Sequence, residues 1–208
     1  MVIPTQFKEI FLLKPKQHKD ARGSFSEAYT CRNFEKALGR KTAFCQDNLT
    51  TSKRGVLRGL HYQLPPFSQS KLVSVLQGTV LDIVVDIRKG SPTYGQWTGE
   101  ELSFDNGKQL LIPVGFLHGF VTLEPNTEII YKCSEYYAPE FEGLVRFDDP
   151  DIDIDWGIDP ESAIISERDV NAPLLKDLNS PFMLRSEIIS WNFYSYEYLA
   201  LAHTIFYF

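Results

Sequence analysis

The chain reads as a mainly β protein, a sandwich or barrel with a few short helices, and three observations carry that reading. Short apolar and β-branched runs alternate with glycine, proline and asparagine turns for most of its length. Helical periodicity is confined to short stretches. A chain of 208 residues with 43% hydrophobic content has the material for one sizeable core and argues against disorder.

Taken in order, Cys31–Leu38 is the one clear short helix, stopped by Gly39. Gln46 and Asn48 share a strand face. Leu72–Leu76 and Thr79–Ile87 meet at Gln77-Gly78 and are expected to pair through a tight connection. Within the second run Asp82 shares a face with Val80 and Val84, a carboxylate on an apolar side. Lys89–Tyr94 is a turn-rich loop. Trp97–Phe104 and Lys108–Ile112 flank Asp105-Asn106-Gly107 and are expected to form another hairpin. Val114–Leu123 and Thr127–Tyr136 add strands on either side of Glu124-Pro125-Asn126. Ser162–Ile165 is expected to add a further helical turn.

A formal charge of −6 argues against general nucleic-acid binding, because phosphate backbones are held by clustered lysine and arginine. No window is long and apolar enough for a transmembrane segment, and the first residues lack a secretory pattern, so a cytoplasmic location is expected. Cys31, Cys45 and Cys133 are an odd number at wide spacing and read as free thiols.

The stretch Arg54–Lys71 concentrates the chemistry. Arg58 suits a phosphate, His61 can take a proton near neutral pH, and Lys71 can stabilise an enolate oxygen. Together they point to proton chemistry beside a carbonyl on a phosphorylated substrate. Removing a hydrogen next to a ketone requires a base, an oxyanion partner and, for inversion, an acid on the opposite face. His61, Lys71 and Tyr131 have the right chemistry for those roles. Alternation puts Tyr131 on one face with Ile129 and Cys133, and Lys71 on one face with Val73 and Val75. Each of these residues taken alone also fits ordinary strand packing. Arg58 and His61, three apart, would face opposite ways in an ideal strand, and a bulge at Gly59 would reconcile them.

Several motifs recur in one order: Asp20-Ala21-Arg22-Gly23, Gln46-Asp47-Asn48, Arg58-Gly59-Leu60-His61-Tyr62-Gln63, Lys71 and Asp82 to Arg88. They are followed by Gly90 to Gly95, Pro113 to Phe120, Tyr131-Lys132-Cys133 and Tyr136 to Pro139. From about residue 3 to Phe182 this pattern resembles the dTDP-4-dehydrorhamnose 3,5-epimerases. The resemblance implies a cupin-like jelly roll (double-stranded β-helix) over residues 1–182, a homodimer, and inversion at C3 and C5 of dTDP-4-dehydro-6-deoxy-D-glucose without a metal or other cofactor. It implies His61 as the base, paired with Asp169 in Ser166-Glu167-Arg168-Asp169, and it supports Tyr131 as the acid. It also implies that Arg22, Phe25, Glu27, Gln46, Asn48, Arg58, His118, Tyr137 and Glu142 hold the nucleotide sugar. The segment with Arg22, Phe25 and Glu27 is implied to serve the neighbouring subunit's site.

The competing enzyme class is a metal-dependent cupin, which needs several histidines and a carboxylate. Of four histidines, only His61 and His118 fall in the barrel, with Gln63 where a second nearby ligand would be expected. A non-catalytic sugar-binding module and a keto-isomerase acting on the same nucleotide sugar also fit parts of the pattern. Residues 183–208 form an aromatic-rich extension beyond the resemblance, for which an added strand, a dimer contact, a membrane-surface patch and translation past the usual end remain open.

Overall fold

The computed structural model describes residues 2–184, apart from positions 40 and 42. Its strands are β1 (Val2–Pro4), β2 (Phe11–Leu13), β3 (Gln17–Asp20), β4 (Gly23–Ser26), β5 (Gln46–Ser52), β6 (Leu57–Gln63) and β7 (Lys71–Gln77). They continue with β8 (Thr79–Asp86), β9 (Trp97–Ser103), β10 (Gln109–Ile112), β11 (Phe116–Thr122), β12 (Thr127–Cys133) and β13 (Glu142–Leu144). Two helices, α1 (Cys31–Leu38) and α2 (Glu167–Val170), and three short 3-10 turns complete the described elements.

The strands form a six-stranded sheet in the order β1-β2-β10-β7-β12-β5, a five-stranded sheet in the order β13-β6-β11-β8-β9, and the separate β3-β4 hairpin. The two large sheets face one another, which is the jelly-roll arrangement expected from the sequence. Val73, Val75, Leu110, Ile112 and Ile129 of the six-stranded sheet pack against Val80, Val84, Leu102, Phe116 and Phe120 of the five-stranded one. Burying each such side chain contributes roughly 1.5–3 kcal/mol.

A second apolar layer covers the outer face of the five-stranded sheet. There Leu57, Leu60, Ile83, Val85, Leu117 and Val121 meet Phe147, Trp156, Leu175 and Phe182 from the C-terminal segment. Because both faces are covered, every residue of β11 is buried. On the outer face of the six-stranded sheet, Leu13, Leu72 and Leu111 pack with Phe34 of α1. The helix has the bounds read from the sequence and ends at Gly39 in the left-handed conformation, φ 68°.

Three local expectations are corrected. β7 and β8 do not pair: β7 lies between β10 and β12, while β8 lies between β11 and β9. The Asp105-Asn106-Gly107 turn likewise joins β9 and β10, which belong to different sheets. Turn residues encode a chain reversal, but at these corners the reversal carries the chain across the sandwich. The extra helical turn lies at Pro160–Ser162 rather than over Ser162–Ile165, because Pro160 fits a helix start and Ile164 is drawn into a bridge with Val56.

The motif from Asp82 to Gly95 is partly a scaffold. Asp86 accepts hydrogen bonds from the Arg88 backbone N–H and Nε, both at 2.9 Å, and from Nη2 at 2.7 Å. Ser91 and Thr93 hydroxyls donate to it at 2.6 and 2.7 Å, and Arg88 Nη1 reaches Glu9 at 2.7 Å. Burial alone would raise the Asp86 pKa, but these donors hold its carboxyl below the usual range. Of the C-terminal extension, Met183 bridges Lys89 and the Leu184 N–H donates to Lys89 O at 2.9 Å. The rest of the extension, from position 185, lies outside the described residues.

Candidate functional site

His61 reaches the site through an irregularity in β6. His118 of β11 pairs with His61 and Phe120 with Arg58, so two residues of β6, Gly59 and Leu60, oppose the single Gly119 of β11. The extra residue is the bulge anticipated at Gly59. Only glycine suits that position: φ is +124°, and a Cβ would lie 2.6 Å from the Gly119 Cα. The bulge leaves Leu57 and Leu60 together in the outer apolar layer and returns Arg58 and His61 to the opposite face.

His61 is fixed from behind by Asp169. The Nε2–Oδ1 distance is 2.8 Å, and Asp169 is only 4% exposed. Burial by itself would raise the Asp169 pKa, but His61, the Gly59 N–H and Ser166 together hold the carboxyl below its usual value. An ionised carboxylate only accepts, so Nε2 is the donor to it, and in the neutral imidazole the lone pair then lies on Nδ1. Asp169, given by the resemblance as the partner of His61, is placed by a short helix. It sits on α2, whose first turn is capped by Ser166 Oγ accepting the Asp169 N–H at 3.1 Å.

The opposite wall comes from the six-stranded sheet. Lys71 opens β7 and Tyr131 lies on β12, where it pairs with Val73 of β7 and Asn48 of β5. The Lys71 ammonium stands 5.9 Å from the Tyr131 ring centroid. Burial pushes the Lys71 pKa down, with Cys133, Glu142 and Asp82 pulling the other way. Burial also raises the Tyr131 phenol, while Arg58 and a hydrogen bond with Asn48 oppose that rise. His61, Lys71, Tyr131, Asn48, Tyr137 and Glu142 thus line one small cleft of ≈ 70 Å³.

Around it, Gln46 Nε2 donates to Asn48 Oδ1 at 2.8 Å while its Oε1 accepts the Tyr137 N–H at 2.9 Å. The Tyr137 hydroxyl donates to Glu142 Oε2 at 2.8 Å. Arg58 is exposed beside the cleft, with Nη2 3.4 Å from Ser52 Oγ. His118 is buried beneath, with Nε2 3.0 and 3.1 Å from the two Asp82 oxygens. Burial pushes its pKa down against the pull of Asp82.

Three expected site residues are not in this cleft. Arg22 is held on the exposed β3-β4 hairpin by Asp20 at 2.6 Å. Glu27 accepts from Thr30 and Asn33, and Phe25 is 72% exposed. Conversely, Gln69, Tyr62 and Arg168 were not singled out by sequence reasoning. Gln69 and Tyr62 line the cleft, and Arg168 Nη2 lies 2.6 Å from Glu142 Oε2. No local pattern announces Arg168, because its partner is on β13. Gln63 also lines the cleft but is committed to the chain beyond β12: its Oε1 accepts the Ala138 N–H at 3.0 Å and its Nε2 donates to Tyr136 O at 2.9 Å. Among the described residues, no group of three or more His, Cys, Asp or Glu side chains is placed to hold a metal ion, and no helix is long and apolar enough to cross a membrane.

A family model described as dTDP-4-dehydrorhamnose 3,5-epimerase matches residues 4–177. The chain belongs to this family. The dTDP-4-dehydrorhamnose 3,5-epimerase of Salmonella typhimurium is 48% identical over 177 residues, covering 84% of this chain and 95% of that protein. A crystal structure of the Legionella pneumophila dTDP-6-deoxy-D-glucose-3,5-epimerase in complex with dTDP-4-keto-L-rhamnose superposes with a TM-score of 0.85. It is 43% identical and covers 89% of this chain and 99% of that one. The Elizabethkingia anophelis dTDP-4-dehydrorhamnose 3,5-epimerase gives a TM-score of 0.82 at 44% identity, covering 86% and 98%. As a member of the 3,5-epimerase family, the chain is an isomerase-class enzyme, and, apart from the Asp20–Gly23 motif on the exposed β3-β4 hairpin, the motifs that carried the resemblance fall mainly into two groups. Those around His61, Lys71 and Tyr131 line the cleft, and the Asp86–Arg88 network braces the barrel.

Proposed function

We propose that this protein inverts C3 and C5 of dTDP-4-dehydro-6-deoxy-D-glucose, giving dTDP-4-dehydro-L-rhamnose for dTDP-L-rhamnose synthesis. One observation carries the reading: His61 stands on the wall formed by the five-stranded sheet, while Lys71 and Tyr131 stand on the wall formed by the other. His61 Nδ1 takes the proton next to the 4-ketone, and the Lys71 ammonium meets the charge developing on the ketone oxygen. Tyr131 returns a proton from the opposite side, which is what inversion requires. Asp169 orients the imidazole and stabilises the imidazolium that forms. Base, oxyanion partner and acid are all side chains, so the proposed chemistry needs no metal.

Gln46, Asn48, Arg58, Tyr137 and Glu142 would hold the nucleotide sugar, with His118 beneath it. Arg22, Phe25 and Glu27 fit the same role in a homodimer, presented by one subunit's hairpin to the neighbour's cleft. The free thiols Cys31, Cys45 and Cys133 suit the cytoplasmic location we assign.

The test is incubation with dTDP-4-dehydro-6-deoxy-D-glucose in deuterated water, followed by NMR. Deuterium is expected at both C3 and C5 with inversion at each. Exchange confined to C3 would make the protein a single-centre epimerase. His61→Ala is expected to abolish exchange while nucleotide binding persists, and wild-type exchange in that variant would assign the base elsewhere.

A further inference from the structure

A carboxylate on one nitrogen of a histidine orients it as a base, whereas a second carboxylate at the other nitrogen would keep it protonated. His61 stands between two. Asp169 occupies Nε2, and Glu142 Oε1 lies 4.0 Å from Nδ1, the nitrogen that faces the cleft. Glu142 is only 12% exposed, so its charge is poorly screened by water.

The other Glu142 oxygen is taken. Oε2 accepts from Arg168 Nη2 at 2.6 Å and from the Tyr137 hydroxyl at 2.8 Å. Arg168 adjoins Asp169 on α2, so one helical turn supplies both the carboxylate behind the imidazole and the cation that answers the carboxylate in front. We propose that Arg168 is a positioning residue: it cancels the Glu142 charge and draws that carboxylate towards Tyr137, leaving His61 Nδ1 open and unprotonated. The inference rests on His61 being the base and goes beyond it.

The remaining groups around His61 do not substitute for Arg168. Lys71 from β7 and Tyr131 from β12 line the cleft with it, and Lys71, whose cation Glu142 favours at a distance, makes no ion pair with that carboxylate among the described residues. From β11, His118 is committed to Asp82 of β8. Only Arg168 contacts Glu142 as a cation among the described ion pairs.

The experiment is an NMR titration of the His61 imidazole in the full chain. Arg168→Gln leaves Glu142 uncompensated, so the midpoint and the acid limb of kcat/KM should both rise by about one pH unit. Arg168→Lys keeps the charge and should stay near wild type. Combining Arg168→Gln with Glu142→Gln should remove the rise. Glu142→Gln alone gives an independent check: it leaves the Arg168 cation unanswered, so the midpoint should fall by about as much as Arg168→Gln raises it, roughly one pH unit. An unmoved midpoint in Arg168→Gln, a rise that survives in the double variant, or an unmoved or raised midpoint in Glu142→Gln alone would each overturn the proposal. The imidazole midpoint is readable in an inactive protein. Failure here is therefore distinct from failure of the base assignment, which deuterium exchange in His61→Ala decides.

Discussion

At the residue scale, the site works by giving similar groups different surroundings. Two histidines face one another across β6 and β11, yet they are prepared differently. His118 is 6% exposed, and burial presses it towards the neutral form against Asp82. His61 reaches the cleft with one nitrogen committed to Asp169 and the other 4.0 Å from Glu142 Oε1. Tyr131 combines a half-buried ring with a place in the cleft lining, and burial raises its pKa, which keeps the phenol protonated at neutral pH, as the proposed role of acid requires. Tyr131→Phe keeps the ring and removes the proton. Solvent exchange at C3 should persist while inversion falls by about 10²–10⁴-fold, read by NMR of the product and of recovered substrate. Undiminished double inversion would reject its role. The type of each residue and the strand face of Tyr131 were legible in the sequence, but the burial around His118 and Tyr131 was not.

At the element scale, β6 depends on one extra residue. An even strand would turn either Arg58 or His61 away, and Gly59 permits the bulge that keeps both on one side. Gly59→Ala puts a Cβ against the backbone of β11 at a φ that side chains resist. Thermal or denaturant unfolding should show a loss on the order of 3 kcal/mol, with activity falling as His61 shifts. A variant as stable as wild type would mean that β6 adopts its register without the glycine. The bulge was legible because two functional side chains three apart demanded it. Pairing was less legible. Asp82 was placed correctly on the face of Val80 and Val84, yet β8 is apolar on both faces, so its pattern did not say which sheet it joins. Turn residues at Gln77-Gly78 and Asp105-Asn106-Gly107 carried the same ambiguity, and both proved to be corners between sheets.

At the scale of the whole molecule, the cleft in one chain lacks Arg22, Phe25 and Glu27, which project on a hairpin paired with neither large sheet. If a partner's hairpin completes each site, Arg22→Ala and His61→Ala proteins should complement one another. After equal mixing under conditions that exchange subunits, half the dimers are hybrids with one intact site each, so about a quarter of wild-type activity should return. No recovery despite proven exchange, or a fully active monomer, would remove the shared-site model. By itself the sequence determined the β class, the helix at Cys31–Leu38 and the strand faces of Lys71 and Tyr131, because side-chain alternation follows from the pleat of a single strand. Only the tertiary structure decided that His61 and Tyr131, the proposed base and acid, occupy opposing walls, that Asp169 lies behind His61 on a short helix, and that Arg168 pairs with Glu142. Those contacts join residues far apart in the chain, and their distances are set by how two sheets stack, a property of all the core side chains together rather than of any local pattern.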